Sequence, residues 1–503
     1  MDVTPPTPTE PLIGRTGQEV PDTTRDQLDE ILHHAAEAGE QLRSWSRPRR
    51  AVLLTALAEA LETDPDELIE VAQQETRLET PRLRNEITRT AFQLREFAAA
   101  ILEGSYLEAT IDHAAETAMG PRPDLRRMLV PLGVVAVYSA SNFPFAFSVL
   151  GGDTASALAA GNAVVVKAHP GHPRTSQIVA ARAAQVLDGL GAPPGSLGLV
   201  HGFDTGTDLV RHPLVDAAAF TGSVRGGQAL ARQAAMREDP IPFYGELGSL
   251  NPVLVTSHAV EEHAAKFGQG LAKSVLQSGG QLCTKPGLVL VPRGPGGDEL
   301  IEHIADAIKR ADAFPALTES MAGGYAEGAA ARSEHSTVIG VGGTASPQQY
   351  QPRIVSVVAE DAVGEILSEC FGPLAVVVRY SDEEEALSVI RRLEGSLTAT
   401  FLTGESEDIS TSRTYAALSK QVGRVLLNDY PTGVAVSWAQ HHGGPSPATN
   451  SVHTSVGMTA MRRFLRPMTW QNAPQNLLPQ ELWDTNTKIP TRIDGQITMP
   501  LNR

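Results

Sequence analysis

Only two cysteines, Cys283 and Cys370, occur in the 503 residues. So few exclude a disulfide framework and a cysteine-rich zinc site, and they fit a reducing cytoplasm. Positive charge is also scarce. Forty-one lysines and arginines face 58 acids, for a formal net charge of −17. A chain with no basic excess is not expected to hold nucleic acid, because phosphate binding needs a basic face. A local basic pocket for a phosphorylated cofactor stays open. Long apolar runs are missing too. Residues 128–152 carry no charge, but Pro131, Gly133, Pro144 and the Ser139-Ala-Ser-Asn142 cluster interrupt them. A membrane-spanning helix needs about 20 mostly apolar residues without such breaks, so a strand, a loop and a helix are expected there and no membrane partner. The Pro/Thr-rich stretch 1–10 lacks the basic and apolar regions of a signal peptide.

What is present is ordinary globular composition at a length that calls for two or three domains. Residues 24–115 read as helical. Arg49-Ala-Val-Leu-Leu-Thr-Ala-Leu-Ala-Glu-Ala-Leu61 spaces its apolar side chains for a helix face, and Asp64-Pro-Asp-Glu67 reads as a helix start. From about 129 the pattern changes to strands alternating with helices, at 129–137, 150–160, 163–167, 175–190, 197–200, 217–220 and 224–236. That alternation predicts a parallel sheet covered on both faces, a Rossmann-like domain. A second α/β run spans 247–445, with strand candidates at 253–255, 288–291, 375–378 and 425–427. From about 470 the chain is Pro/Asn/Gln-rich with no clear core, and reads as a mobile end.

Two glycine-rich loops carry chemistry-bearing residues. Cys283 stands in Ser278-Gly-Gly-Gln-Leu-Cys283-Thr-Lys-Pro-Gly287, and Glu246 in Phe243-Tyr-Gly-Glu246-Leu-Gly-Ser-Leu-Asn-Pro252. A lone thiol paired with a carboxylate suggests covalent catalysis with a general base. The glycines of the first loop are expected to let backbone approach a ligand. Lys285 either lowers the thiol pKa by pointing inward or is a surface lysine. Asn142, in Asn142-Phe-Pro144 after a buried strand, offers an amide for an oxyanion. In Phe220-Thr-Gly222-Ser223, a strand turns into a helix whose N-terminus suits a pyrophosphate. His441-His442 has no His or Cys partner at ligand spacing, so a substrate-mouth or packing role is expected and no metal.

These segments, with Glu369-Cys-Phe-Gly-Pro373, occur in the order and at the spacings of the aldehyde dehydrogenase superfamily, which the chain resembles from about 20 to 470. The resemblance implies an aldehyde dehydrogenase-like α/β fold. It divides into a cofactor-binding domain (1–115 and 130–246), a catalytic domain (247–445), and oligomerisation elements (116–129 and 446–503) of a homodimer or homotetramer. It implies Cys283 as nucleophile, Glu246 as general base and Asn142 as oxyanion partner. It places the cofactor against Gly222 and Ser223, an adenosine ribose on Lys167, and the nicotinamide ribose on Glu369 with Phe371 beside the ring. Cys370 is then structural. The segment Lys167-Ala-His169-Pro-Gly-His172-Pro-Arg174 contains no acid to repel a 2′-phosphate and offers Lys167, His169 and Arg174. NADP is therefore expected, with NAD possible. This segment and the runs at 441–449 and 463–468 resemble the branch containing NADP-dependent α-ketoglutaric semialdehyde (2,5-dioxovalerate) dehydrogenases. That substrate carries a carboxylate, and no recognising arginine is identifiable. Phe145, Phe147, Gln281 and Trp438 are candidates for the substrate tunnel. Fatty, aromatic or specialised biosynthetic aldehydes remain alternatives. A CoA-acylating relative would lack the hydrolytic glutamate, and a non-catalytic homologue would have lost Cys283, Glu246 or Asn142.

Overall fold

Four amphipathic helices open the fold, Arg25–Arg43, Arg47–Glu62, Pro65–Thr76 and Thr80–Glu103. The computed structural model of the protein describes residues 20–486 and 488–500; the stretch 1–10, read above for targeting signals, lies outside the described residues. Thr24 and Gln27 form a reciprocal capping box on the first helix, and Pro65, with Asp66 and Glu67, starts the third as the sequence predicts. The helical region is shorter than expected. Gly104, at φ 88°, ends the fourth helix, and Thr110–Asp112 is a strand rather than helix. Its β-branched Thr110 and Ile111 pair with the 125–131 strand, so tertiary pairing overrides local pattern.

The first sheet has five parallel strands in the order Leu197–Val200, Ala163–Lys167, Val134–Tyr138, Ala217–Thr221, Phe243–Glu246. Its central strands are Val- and Ala-rich and buried along almost their whole length, as a sheet covered on both faces requires. The chain runs outward from Val134–Tyr138 in one direction, then returns to continue at Ala217–Thr221 in the other. Such a switch of direction opens a crevice beyond the carboxyl ends of the two strands.

The second sheet has seven strands, in the order Thr337–Val341, Arg353–Val358, Leu374–Tyr380, Leu288–Pro292, Val253–Val255, Ser396–Leu402, Val422–Leu427. Thr337–Val341 is antiparallel to its neighbour and the other pairs are parallel. The four strands expected here are present, and three more join them. No helix among the described residues is long and apolar enough to cross a membrane.

The C-terminal residues correct the sequence reading. Leu465–Gln471 pairs with Leu125–Pro131, and Thr491–Ile493 pairs with Thr110–Asp112 and Gln496–Thr498 in a third, five-stranded sheet. Leu482 and Ile489 are buried in the main core. Few apolar residues suffice because the segment joins an existing sheet instead of forming its own core.

One buried carboxylate ties the helical layer to the first sheet. Glu75 accepts from the amides of Arg174 and Thr175 (both 2.9 Å) and from Thr175 Oγ1 (2.7 Å), at the start of helix Pro173–Gly189. Glu75→Ala would leave three donors without their acceptor, so it is expected to cost about 2–4 kcal/mol, with Glu75→Gln falling between. Urea unfolding checks this, and an unchanged midpoint for the alanine variant would refute it.

Candidate active site

Cys283 lies in the loop between helix Ser257–Leu276 and strand Leu288–Pro292, and is half-buried. The loop is entered through three residues at positive φ, Ser278 (54°), Gly279 (64°) and Gly280 (66°). The glycines serve packing rather than the ligand approach expected from the sequence. A Cβ on Gly280 would overlap the Gly372 carbonyl, so the loop is pressed against the 372–373 backbone. Asn251 fixes the far side, donating to the carbonyls of Cys283 (2.8 Å) and Lys285 (3.0 Å).

Glu246 ends the last strand of the first sheet and is 3% exposed. Its Oε1 lies 2.8 Å from His442 Nε2, and its Oε2 accepts from Ser455 Oγ at 2.7 Å. His442 Nε2 also lies 3.6 Å from Cys283 Sγ. His442 is thus neither at a substrate mouth nor in plain packing; it bridges base and nucleophile. Its Nδ1 is buried and has no hydrogen-bond partner among the described residues. The sequence carried only a faint signal for this, a histidine pair in the run resembling a branch of the family. Burial works against ionisation of Glu246. The attraction and hydrogen bond of His442, with bonds from Ser455 and the Cys283 thiol, outweigh it and hold the carboxyl below its usual range. The same groups act oppositely on the thiol. Burial pushes it well above an ordinary cysteine, and the neighbouring Glu246 charge adds to that.

Asn142 reaches the same place. Its Nδ2 donates to the Gln281 carbonyl at 3.0 Å, which orients the amide and leaves a second N–H. Lys285 is neither a surface lysine nor a partner of the thiol. It is buried, donates to the carbonyls of Cys370 (3.1 Å) and Leu374 (2.7 Å), and burial lowers its pKa to about 8. Cys370 is buried in the second core.

The residues read as cofactor ligands lie on segments of both sheets, four of them, Lys167, His169, Gly222 and Ser223, at or just beyond the carboxyl ends of first-sheet strands. Gly222 and Ser223 are exposed, and Ser223 caps helix Val224–Ala235 through Gly226 N (3.2 Å). Lys167 closes strand Ala163–Lys167 and is half-buried. Burial lowers its pKa, opposed by the charge of Asp22, an acid far away in sequence. His169 departs from expectation as a positive group. Its Nδ1 accepts from Gly171 N (3.0 Å), and burial beside His172 and Lys167 pushes it well below the usual histidine range. Arg174 uses its amide on Glu75. Glu369 is half-buried against the 248–249 backbone, where a Cβ on Gly248 would collide with its carboxylate, and burial raises it to about 7. Phe371 is half-buried two residues on. An exposed helix N-terminus, an ammonium at a strand end and a cleft carboxylate fit a nicotinamide dinucleotide.

A cavity of about 530 Å³ opens beside the Cys283 loop, lined in part by Gln281, Leu282, Phe143 and Phe314. Of the tunnel candidates, Gln281 lines it, and Phe147 packs against Phe143 with ring centroids 5.2 Å apart. Phe145 is 1% exposed and belongs to the main core, and Trp438 is 45% exposed and away from the cavity lining. Aromatic type and proximity to Asn142 do not reveal which way a ring faces.

Residues 6–447 match the family model described as the aldehyde dehydrogenase family. The chain belongs to that family. It is 42% identical over 476 residues to α-ketoglutaric semialdehyde dehydrogenase 2 of Azospirillum brasilense, covering 92% of this chain and 90% of that protein. It is 38% identical over 494 residues to α-ketoglutaric semialdehyde dehydrogenase of Acinetobacter baylyi, covering 96% and 94%. Among solved structures, the NADP complex of a glyceraldehyde-3-phosphate dehydrogenase from Methanocaldococcus jannaschii superposes with a TM-score of 0.78 at 19% identity, covering 92% of this chain and 99% of the other. A proline utilization A structure matches at TM-score 0.76 and 25% identity over 90% of this chain, which spans 45% of that longer chain. The aldehyde dehydrogenase fold and the oxidoreductase class read from the sequence therefore stand, and the family's cofactor is NAD or NADP.

One donor atom each from Glu246, Cys283 and His442 lie within 4.8 Å of one another. A soft divalent ion could close on that trio, but it would occupy the thiol an aldehyde dehydrogenase needs. The electrostatics make a direct prediction. The pH midpoint for iodoacetamide alkylation of Cys283, read against Cys283→Ala, should lie above that of a free cysteine, about 8.5. Glu246→Gln should lower it, because a charge that disfavours the thiolate is gone. An equal or higher midpoint in that variant would refute the coupling.

Proposed function

We propose that this enzyme oxidises 2,5-dioxovalerate to 2-oxoglutarate through a covalent Cys283 intermediate, with NADP preferred and NAD accepted. The observation that supports this best is the convergence of Cys283, Glu246 and His442 from three separate segments, with Asn142 bonded to Gln281 of the Cys283 loop, whose Gln281 and Leu282 line a cavity. The two curated relatives carry the name of the same semialdehyde dehydrogenase.

Cys283 Sγ attacks the aldehyde carbon, and its proton passes to Glu246. The carbonyl oxygen becomes an alkoxide, stabilised by the second Asn142 N–H and the Cys283 amide. Hydride leaves the thiohemiacetal carbon, and a nicotinamide cofactor held by Lys167, Ser223 and Glu369 would supply its acceptor. The Cys283 thioester remains. Once Glu246 has released the thiol's proton to solvent, it takes a proton from water as that water attacks the acyl carbon; the C–S bond breaks, the departing sulfur takes that proton from Glu246 to regenerate the thiol, and the carboxylic acid leaves. His442 holds Glu246 ionised in the resting enzyme, ready to accept each proton, and is a positioning residue. A CoA-acylating reaction has no use for this base, and a non-catalytic role has none for the thiol.

Lys167, Ser223 and Glu369 hold the cofactor in this reading. NADP preference rests on Lys167, Arg174 and the lack of acid in 167–176. Asp22 brings an acidic charge to Lys167 and His169 contributes none, so the preference is modest. The cofactor domain (1–115 with 130–246) carries the parallel sheet and the catalytic domain (247–445) the seven-stranded, mostly parallel one. The hairpin Ala115–Thr117 and Gly120–Arg122, with the 446–503 segment, makes the contacts of a homodimer or homotetramer.

Reduced-cofactor formation with an aldehyde panel, each member run with NADP and with NAD, tests the substrate. Fast turnover of 2,5-dioxovalerate that Cys283→Ala abolishes is expected; turnover of other aldehydes alone would overturn the substrate, and an active Cys283→Ala the mechanism. A second outcome follows from the Glu246 electrostatics. His442→Ala removes the attraction and hydrogen bond that lower Glu246 and leaves burial to raise it. The acidic limb of the kcat–pH profile should move to higher pH, with kcat down about 10- to 100-fold at neutral pH. A lower kcat with an unmoved limb would make His442 merely structural.

A further inference from the structure

The cavity beside Cys283 is walled on one side by helix Thr80–Glu103, whose sequence gave no sign of a binding role. Arg82, Glu86 and Arg89 are spaced at i, i+4 and i+7 and so share one face of it. All three line the cavity. Each arginine lies over an aromatic ring at cation–π distance: Arg82 over Phe143 at 5.1 Å and Arg89 over Phe147 at 5.5 Å. Arg82 Nη2 is fixed further, donating to the Asn142 carbonyl at 2.6 Å, and Arg89 Nη2 lies 3.5 Å from the Val434 carbonyl. On both arginines Nη1 is buried with no hydrogen-bond partner among the described residues.

Buried guanidinium nitrogens without acceptors are uncommon, because the lost hydration is not replaced. The local acid does not supply what is missing. Glu86 spends Oε1 on the amides of Phe145 (2.8 Å) and Ala146 (3.0 Å), and its Oε2 has no partner. Two guanidiniums and one carboxylate leave an excess of positive charge on this wall, in a chain whose net charge is −17. Burial lowers the affinity of both arginines for their protons, and for Arg89 the charges of Glu86, Cys283 and Glu246 oppose that. Arg89 is therefore within electrostatic reach of the reacting groups.

We propose that Arg89, supported by Arg82, forms the subsite that binds the carboxylate of the substrate, and so selects aldehydes bearing an acid at the far end of a short chain. This rests on the covalent aldehyde oxidation proposed above and identifies the residues that give it specificity. A carboxylate entering the cavity supplies acceptors to two guanidiniums whose Nη1 atoms have none, and the ring contacts and Nη2 bonds already hold both side chains, so little ordering is needed on binding. A neutral aldehyde of the same length leaves both nitrogens as they are in the free enzyme and gains nothing from them.

The test compares 5-oxopentanoate with pentanal, which have the same number of carbons, in wild type, Arg89→Met and Arg89→Lys. Wild type is expected to favour the acid. Arg89→Met should lower kcat/KM for the acid by at least about a hundredfold, mostly through KM, while pentanal changes by no more than a few fold. Arg89→Lys should recover part of the loss. Pentanal turnover also reports whether each variant folds. A parallel fall for both aldehydes would overturn the proposal, since Arg89 would then act on the thiol or the scaffold, as would acid preference surviving Arg89→Met. Wild-type preference for pentanal would sink the acidic-substrate reading and this subsite with it. Inactivity of wild type on both aldehydes would instead overturn the oxidation reading.

Discussion

The contact of Glu246 with His442 is the constraint on which the rest of the site depends. Glu246 belongs to the last strand of the first sheet, Cys283 to a loop entering the second, and His442 to a segment that follows the last strand of the second. Backbone bonds lock these parts together around the side chains. Gly222 N donates to the Glu246 carbonyl (3.0 Å) and Leu247 N to that of Ala448 (2.8 Å), while His442 N donates to Thr454 Oγ1 (2.8 Å). The carboxylate, imidazole and thiol are therefore held by the junction of two sheets, and none can shift without disturbing a ladder or a turn. A site that must place a proton acceptor within reach of both a thiol and a thioester benefits from this rigidity.

That arrangement carries an electrostatic conflict. A buried carboxylate beside a buried thiol makes each harder to ionise, and the protein resolves it in favour of the carboxylate through His442 and Ser455. The resting nucleophile is accordingly a protonated thiol with its base already ionised beside it. In the proposed mechanism activation is coupled to attack: the thiol loses its proton to Glu246 as the carbon–sulfur bond forms. Such a thiol is shielded from adventitious oxidation and alkylation, because the thiolate is the reactive species. The acid that later activates water is the group that holds the thiol in reserve.

Much of this was legible in the sequence wherever function resides in a local pattern. The alternation of Val/Ala strands with helices predicts the first sheet, and Cys283, Glu246 and Asn142 stand out because each interrupts an apolar or glycine-rich run. What escaped depends on contacts between distant segments. His442 lies 196 positions from Glu246 and 159 from Cys283, so no spacing rule joins them. Lys285 reads as either an activator or a surface residue until the carbonyls of Cys370 and Leu374 are seen around it. The C-terminal segment reads as a mobile end because its order comes from strand pairing with residues near 110 and 125, not from its own apolar content. Asp22 tempers the cofactor reading for the same reason: the acid near Lys167 comes from another part of the chain.

The arginines of helix Thr80–Glu103 show how such distant effects set specificity. In sequence, Arg82, Glu86 and Arg89 look like the charged face of a solvated helix, and on most surfaces that would be correct. Here Phe143 and Phe147, brought in by the loop that carries Asn142, lie against the two arginines and leave both only partly exposed. A charge that is nearly free of consequence in solvent gains much in an enclosed site, since the interaction of two charges grows as the dielectric falls. The loop presenting the oxyanion donor thus also partly desolvates the arginines, so the position of the aldehyde oxygen and that of a distal acid are set by one structural element. A substrate engaging both ends is oriented along the cavity before the thiol attacks, and its length becomes as important as its charge.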